Sequence, residues 1–247
     1  MDRIIKISLG LFTVIFVVFI SVVSYHAFVE KAYLTSLSST YSYTCIITTD
    51  SRLSNVTLFL PVPANPSGNS PIVAQFSVKN ITGLPEDWTV TLYDTGKATM
   101  VGITTPEIAP PVGTTPEKPY VIRLLSEMKS DTVIDTREPI KNSAMFHPVR
   151  DLQQVSCPYR SSGDQGTPQC YLYFTSLYAD YQAQKNASVN ITSILGGKNS
   201  WKIFEPVANG YTTSVSLHMV GNNHGWSTMN GTITSSIGSY YTPVLRI

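Results

Sequence analysis

The chain has 247 residues, of which only 13% are charged, while 28 Ser and 27 Thr make it rich in small hydroxyl side chains. Its 17 basic and 16 acidic residues leave a formal net charge of +1. This balance excludes an electrostatic nucleic-acid binder, because there is no basic excess to displace counterions from phosphates. An apolar fraction of 43%, with 11% aromatic residues, excludes a wholly disordered chain.

The N-terminal region predicts a membrane-spanning helix. Residues 7–25 carry no charge, and at about 1.5 Å per residue they reach the roughly 30 Å of a bilayer core. Residues 1–6 contain Arg3 and Lys6, which favour a cytoplasmic N-terminus. We expect an uncleaved signal anchor in the cell membrane over residues 7–25, a juxtamembrane stalk over residues 26–39 and an extracellular domain over residues 40–247. The alternative is a cleaved signal peptide.

From residue 40 onward the pattern is typical of β-structure. Tyr43, Cys45 and Ile47 alternate with more polar neighbours, which predicts a half-buried strand. Further strands are predicted over residues 56–60, 72–78, 88–93, 99–104, 120–125, 170–174, 188–195, 200–204, 213–220 and 226–234. Hairpin turns are predicted at residues 196–199 and 221–225. The fold class is therefore all-β, an antiparallel β-sandwich after one transmembrane helix.

Two stretches interrupt the strand pattern. Residues 105–119 are rich in Pro, and residues 127–168 mix charges, Pro and Gly, so we expect irregular surface excursions there. One sandwich domain is expected. The alternative is two smaller sandwiches divided near residue 128.

The chain has three cysteines. Cys157 and Cys170 enclose a short loop of turn-forming residues, so we expect a disulfide there, which would contribute about 3 kcal/mol by restricting the unfolded chain. Cys45 is then a buried strand residue without a partner. The alternative is that all three are reduced.

Asn-x-Ser/Thr acceptors for N-glycosylation are also present on the predicted outer side. The candidates are Asn55, Asn80, Asn186, Asn190 and Asn230.

The sequence offers no nucleophile–base pair and no metal-ligand spacing, so we assign no catalytic residue, no metal ligand and no cofactor. His218 and His224 are close in sequence but are expected to be solvated. Trp88, Trp201 and Trp226 enter predicted strands and are expected in the core, with a sugar-stacking platform as the alternative. A surface hydrolase would need paired carboxylates. Its candidates are Asp131, Asp135, Asp151 and Asp180.

Four short motifs carry a family resemblance: NVTLFLPVP from Asn55, YADY from Tyr178, SWKIF from Ser200 and HGW from His224. In these the chain resembles a group of uncharacterised archaeal proteins, chiefly from methanogens, that have one N-terminal membrane helix and an external β-rich domain. The resemblance implies that architecture. It implies no activity and supplies no catalytic residue.

The expected function is that of a non-enzymatic, membrane-anchored cell-surface protein, an envelope-structural or adhesive module. Its expected partners are the membrane, through the N-terminal helix, and envelope proteins or surface glycans, with no nucleic acid. Three alternatives stay open: a carbohydrate-binding surface module, a surface hydrolase and a pilin-like filament subunit.

Overall fold

The computed structural model describes residues 2–78, 80–96, 98–158 and 167–241. It begins with one long helix, α1 (Asp2–Ser36), which is long and apolar enough to cross a membrane and whose apolar side chains from Ile4 to Phe28 are exposed. The expected stalk, residues 26–39, is mostly a continuation of this helix. Thr35 and Ser36 donate hydrogen bonds to the carbonyls four residues earlier, which lets these hydroxyl residues stay helical.

Strands make up most of the remaining described residues. They are β1 (Ser38–Thr49), β2 (Leu53–Pro61), β3 (Pro63–Ala64), β4 (Thr89–Asp94), β5 (Thr99–Ile108), β6 (Tyr120–Ser130), β7 (Met145–Phe146), β8 (Arg150–Val155), β9 (Gln169–Gln182), β10 (Ser188–Lys202), β11 (Pro206–Val220) and β12 (Asn223–Gly238). Two short helices, α2 (Val73–Ser77) and α3 (Pro139–Asn142), lie between strands. The predicted all-β class after an N-terminal helix is confirmed.

Ten of these strands form one antiparallel sheet in the order β4-β5-β2-β9-β12-β11-β10-β1-β6, with β8 pairing beside β2 along the same edge of β9. The remaining two, β3 and β7, pair with each other. Strands β1 and β2 are joined by residues 50–52 alone, yet four strands separate them in the sheet order. The sheet must therefore curl over on itself, and its two sides face each other as the layers of a sandwich do.

The curled sheet encloses one hydrophobic core. It receives side chains from strands before and after residue 128, such as Ile47 and Leu58 on one side and Leu177, Val215 and Ile233 on the other. Strand β1 lies between β6 and β10, with twelve residues of β1 in register with β10. The two halves of the chain thus interleave in one sheet.

Residues 72–78, predicted as a strand, form helix α2 instead. Ile72 and Phe76 are both buried, and a spacing of four puts them on the same face of a helix but also on the same face of a strand. Only the packing decides between the two. The Phe76 ring meets the Tyr43 ring edge-to-face at 5.9 Å, so one helical turn covers the core there.

The predicted hairpin at residues 196–199 is wrong. Gly196 and Gly197 lie within the continuous strand β10, paired with β1 on one side and β11 on the other. The turn comes later, at residues 203–205, before Pro206. Gly197 is glycine because the Tyr211 ring fills the place where its Cβ would stand. The second predicted turn, after Val220, is present, with Gly221 at a positive φ of 74°.

The two predicted excursions are shorter than the sequence suggested. Strand β5 continues through Pro106 to Ile108. Pro106 is tolerated because β4 begins at Thr89, opposite Thr104, and because Pro106 has no register partner on β2. Strand β6 continues to Ser130, and β7 and β8 lie within the second excursion. Residues 159–166 of that excursion and residues 242–247 of the predicted domain lie outside the described residues.

Helix α1 is attached directly to one end of the sheet. The Ser36 hydroxyl donates to the Lys202 carbonyl at 3.0 Å and accepts from the Lys202 amide at 2.9 Å. The Tyr33 ring stacks on Tyr241 at 4.1 Å and meets Trp201 edge-to-face at 5.5 Å. We call this end of the sheet, where β10 ends and β11 begins, the helix-proximal end, and the opposite end the helix-distal end.

A buried polar network closes the helix-proximal end. The Asn199 side chain accepts from the Ser39 hydroxyl and the Ile134 amide, and donates to the Ile134 carbonyl and to Asn209. Asn209 in turn accepts from Thr136 at 2.7 Å. Every polar group of Asn199 is thus used, which fixes the irregular segment after β6 against the ends of β10 and β11.

Candidate ligand-binding face

Aromatic side chains form a row across the outer face of the sheet. The row consists of Tyr93 on β4, Phe59 on β2, Tyr178 on β9 and Trp226 on β12, and we call it the aromatic row. Ring centroids are 4.9 Å apart between Tyr93 and Phe59, 5.3 Å between Phe59 and Tyr178, and 5.5 Å between Tyr178 and Trp226. The ring centroids at the two ends of the row, Tyr93 and Trp226, are therefore at most about 16 Å apart.

Register places these residues side by side. Phe59 and Trp226 are the direct cross-strand partners of Tyr178 on its two sides. Their neighbours Leu58, Leu177 and Ala179 point into the core, so alternation sends the aromatic rings outward. Cross-strand aromatic pairs of this kind stabilise a sheet and hold the rings in place.

Gly102 on β5 allows the aromatic rings on β4 and β2 to contact each other across the strand between them. It lies between Phe59 and Thr91 in register, and a Cβ at this position would come within 2.9 Å of the Phe59 ring. Without a side chain on β5, the rings of Phe59 and Tyr93 stack across it at an interplanar angle of 25°. The glycine therefore makes the row continuous.

The two ends of the row present the most surface. Trp226 is 55% exposed and Tyr93 is 48% exposed, whereas Phe59 and Tyr178 are half-buried between them. Trp88 and Trp201 are buried, as expected from the sequence. The expectation of a core position is wrong for Trp226, because it lies on the outward phase of β12.

A histidine–carboxylate contact borders the row. The His224 ring nitrogen lies 3.0 Å from the Asp180 carboxylate, and the His224 ring meets Tyr178 at 6.5 Å. Thr57 is the register partner of Asp180 on β2. The row therefore has hydrogen-bonding groups on one flank, where a ligand with hydroxyl groups can be oriented.

The row lies toward the helix-distal end of the sheet. Strand β12 begins at Asn223, far from the helix, and ends at Gly238, which pairs with Asn209 near the helix-proximal end. Trp226 is the fourth residue of this strand. At about 3.3 Å per residue, roughly 40 Å of strand separates Trp226 from Gly238.

The four carboxylates of the hydrolase alternative have different surroundings. Asp131 and Asp151 are exposed, and Asp180 pairs with His224. Asp135 lines a cavity of about 250 Å³, and no other carboxylate belongs to that lining. Burial opposes ionisation of Asp135, but hydrogen bonds from Asn142 and from the amides of Glu138 and Arg137 outweigh it and lower its pKa. This carboxylate is thus committed to holding its own loop.

The histidines expected to be solvated have separate partners. His218 is exposed on β11 and its ring hydrogen-bonds Asn190 at 2.8 Å, while His224 pairs with Asp180. Across the described ranges, no three His, Cys, Asp or Glu side chains are placed to share a metal ion.

The cysteines divide into a bonded pair and a free thiol. Cys157 and Cys170 form a disulfide, with Cα atoms 5.2 Å apart. Cys45 is free and completely buried in β1. Burial raises the pKa of the Cys45 thiol to about 11.

All five candidate glycosylation asparagines are exposed, at the positions Asn55, Asn80, Asn186, Asn190 and Asn230. They are spread along the chain from the start of β2 to the middle of β12. Each of them is therefore accessible to solvent.

Sequence reasoning missed three of the four residues of the aromatic row, namely Phe59, Tyr93 and Tyr178. For Phe59 and Tyr93, an aromatic residue on the outward phase of a predicted strand was the available signal. Tyr178 lies beyond the predicted strand over residues 170–174, which continues in the structure to Gln182. Comparison with protein-family models, with curated proteins and with solved structures finds no match. The fold and the aromatic row are therefore the basis for proposing a function.

Proposed function

We propose that this chain is a non-enzymatic, membrane-anchored cell-surface protein, an adhesive module that binds neutral glycans through the aromatic row. The observation that carries the proposal is the row itself, in which four rings from four strands form a continuous outward surface. Contiguous exposed apolar surface of this kind marks an interaction site, whereas single exposed rings do not.

The chemistry of the row fits a sugar chain. The C–H groups on a face of a pyranose ring pack against aromatic rings, whose faces are electron-rich. The ring centroids extend over at most about 16 Å, which accommodates a few consecutive sugar units rather than one. Trp226 and Tyr93, with the most exposed surface, are the expected main contacts, and the polar flank beside Tyr178 is expected to hydrogen-bond hydroxyl groups.

The charge near the row favours a neutral ligand. The titratable side chains beside it, Asp180 and His224, pair with each other at 3.0 Å. There is no local excess of positive charge in this pair to attract an anionic polymer. We therefore commit to uncharged polysaccharides.

Anchoring supports the same function. Helix α1 is long and apolar enough to span a membrane, and Arg3 and Lys6 favour an internal N-terminus, which would place the sheet outside the cell. The row lies toward the helix-distal end, so it would face away from the membrane. Exposed glycosylation acceptors and a disulfide are compatible with an external domain.

Cosedimentation of the full-length chain in lipid nanodiscs with cellulose, chitin and mannan tests this proposal. We expect binding to at least one of them, weakened about tenfold or more in Trp226→Ala and in Tyr93→Ala. Phe174→Ala is the matched control, because Phe174 is a partly exposed ring on the same face of β9, outside the row.

Equal losses in all three variants would show non-specific adhesion and contradict the proposal. No binding by the unsubstituted chain to any of the three polysaccharides would also contradict it and leave the envelope-structural function as the better hypothesis.

A further inference from the structure

The hairpin between β10 and β11 has an apolar tip beside the end of the membrane span. Its three connecting residues are Ile203, Phe204 and Glu205, and Phe204 is 63% exposed. The Phe204 ring lies 6.3 Å from the ring of Phe28 on α1. Phe28 is itself 55% exposed.

The depth of Phe28 follows from the helix. It lies 22 residues after Lys6, which is about 33 Å of helix, against roughly 30 Å for a bilayer core. Glu30 and Lys31 follow it and are exposed. If Lys6 marks the inner boundary of the span, then Phe28 marks the outer boundary, where the hydrocarbon meets the lipid headgroups.

From this geometry we infer that Phe204 is a second membrane contact, and that the β10–β11 tip inserts into the outer headgroup region of the bilayer beside α1. This inference rests on the proposed membrane span. The partner is the lipid surface, because the tip lies at the same height as the end of the apolar run and shares a contact with it.

The link between the helix and the sheet keeps the tip at this depth. Ser36 makes two hydrogen bonds to Lys202, and α1 leads into β1 with only Leu37 between them. From Ser36 back to Phe28 is eight residues, or about 12 Å of helix. The two residues beyond Lys202 and a phenylalanine side chain can span a similar distance.

The residues around the tip fit a membrane interface. Tyr33, Trp201 and Tyr241 form an aromatic cluster just beyond Phe28, and Tyr and Trp are enriched at this level in membrane proteins. Lys202 and Glu205 flank Phe204 and are exposed, so they can meet headgroups or water. The domain would then be held at a fixed tilt, with the aromatic row directed outward.

Fluorescence quenching in lipid tests this contact. The full chain carries one added cysteine, labelled with a fluorophore, and is reconstituted into phosphatidylcholine vesicles that contain a nitroxide-labelled phosphatidylcholine. The variants are Phe204→Cys, Val18→Cys within the span and Val220→Cys at the helix-distal end of β11, all at exposed positions. The buried Cys45 and the disulfide-bonded pair leave little background labelling, which the unsubstituted chain measures.

We expect lipid quenching at position 204 to approach that at position 18 and to exceed that at position 220 by roughly fivefold. Quenching at position 204 as weak as at position 220, with strong quenching at position 18, would overturn the inference and leave the span intact. Weak quenching at position 18 would instead show that the span itself is wrong, and the inference would fail with it.

Discussion

The Tyr211 ring on β11 occupies the space in which Gly197 on β10 would carry a side chain. The two residues are register partners, and both are buried. The Tyr211 hydroxyl donates to the Ala144 carbonyl at 2.6 Å, which ties the ring to the segment before β7. The absence of a side chain at Gly197 thus lets the Tyr211 ring pack in the core against β10.

Gly197→Ala is expected to destabilise the domain by about 1–3 kcal/mol, because the added methyl group must displace a ring held by a buried hydrogen bond. Urea unfolding followed by tryptophan fluorescence measures this. Lys198→Ala, at the adjacent exposed position, is the control and should change stability by less than about 0.5 kcal/mol. Equal stability of the two variants would contradict the packing described for Tyr211.

Asn199→Leu is expected to lower the free energy of unfolding by roughly 2–4 kcal/mol. Leucine is similar in size to asparagine but cannot hydrogen-bond, so the Ser39 hydroxyl and the Ile134 amide and carbonyl lose their buried partner. Asn142→Ala removes one exposed hydrogen bond to Asp135 and should cost less than about 1 kcal/mol. Chemical denaturation of both variants measures the difference. A smaller loss of unfolding free energy in Asn199→Leu than in Asn142→Ala would show that the Asn199 network does not stabilise the helix-proximal end.

Cys45 should resist iodoacetamide at pH 8 in the folded chain and react after unfolding. With its pKa raised to about 11, only about one thiol in a thousand is ionised at that pH, and the group is buried as well. The pKa of the Cys45 thiol is higher in the folded chain than its ordinary value of 9.0. The protonated thiol therefore contributes to the free energy of unfolding below pH 9, and this contribution is lost as the pH rises through about 11.

The same shift predicts a steeper loss of stability between pH 9 and 10 in the unsubstituted chain than in Cys45→Ala. The tyrosines with raised pKa values titrate above this interval and are present in both chains. Mass spectrometry after alkylation and urea unfolding at the two pH values supply the measurements. Rapid alkylation of the folded chain would contradict the burial of Cys45.

An external protease on intact cells should cut within the β-domain, since Arg3 and Lys6 favour an internal N-terminus. The accessible segment between β5 and β6 contains Val112, which is fully exposed. Immunoblotting of the cell fraction measures the loss of the full-length chain. Survival of the domain when the envelope is shown to admit the protease would mean that the orientation is reversed.

The strands that could be predicted from the sequence are those in which one face is buried throughout. In β1 and β2 the alternation of Tyr43, Cys45 and Ile47, and of Val56 and Leu58, reflects the core directly. Gly196 and Gly197 carry a turn signal in isolation, and only the facing Tyr211 explains why the strand continues. Helix α2 was missed for a similar reason, because a spacing of four between buried residues fits either element.

The aromatic row could not be predicted as a unit, because its members come from strands distant in the sequence. Phe59 meets Tyr178 through the β2–β9 register, and Tyr178 meets Trp226 through the β9–β12 register. The local alternation of apolar and polar residues predicts each strand but not which strands pair with each other. Each side chain, taken alone, reads as a single exposed ring, which is common on protein surfaces.

Protection of Trp226 from a soluble quencher tests the central claim most directly. Trp88 and Trp201 are buried, so iodide quenching of the full chain in nanodiscs reports mainly on Trp226. Cellohexaose, chitohexaose and mannohexaose are added in turn, and Trp226→Phe is the control for the remaining signal. We expect at least one oligosaccharide to reduce the quenching in a saturable way, and Phe174→Ala to leave this protection unchanged. Iodide quenching of Trp226 that stays the same with all three sugars would contradict a glycan-binding aromatic row.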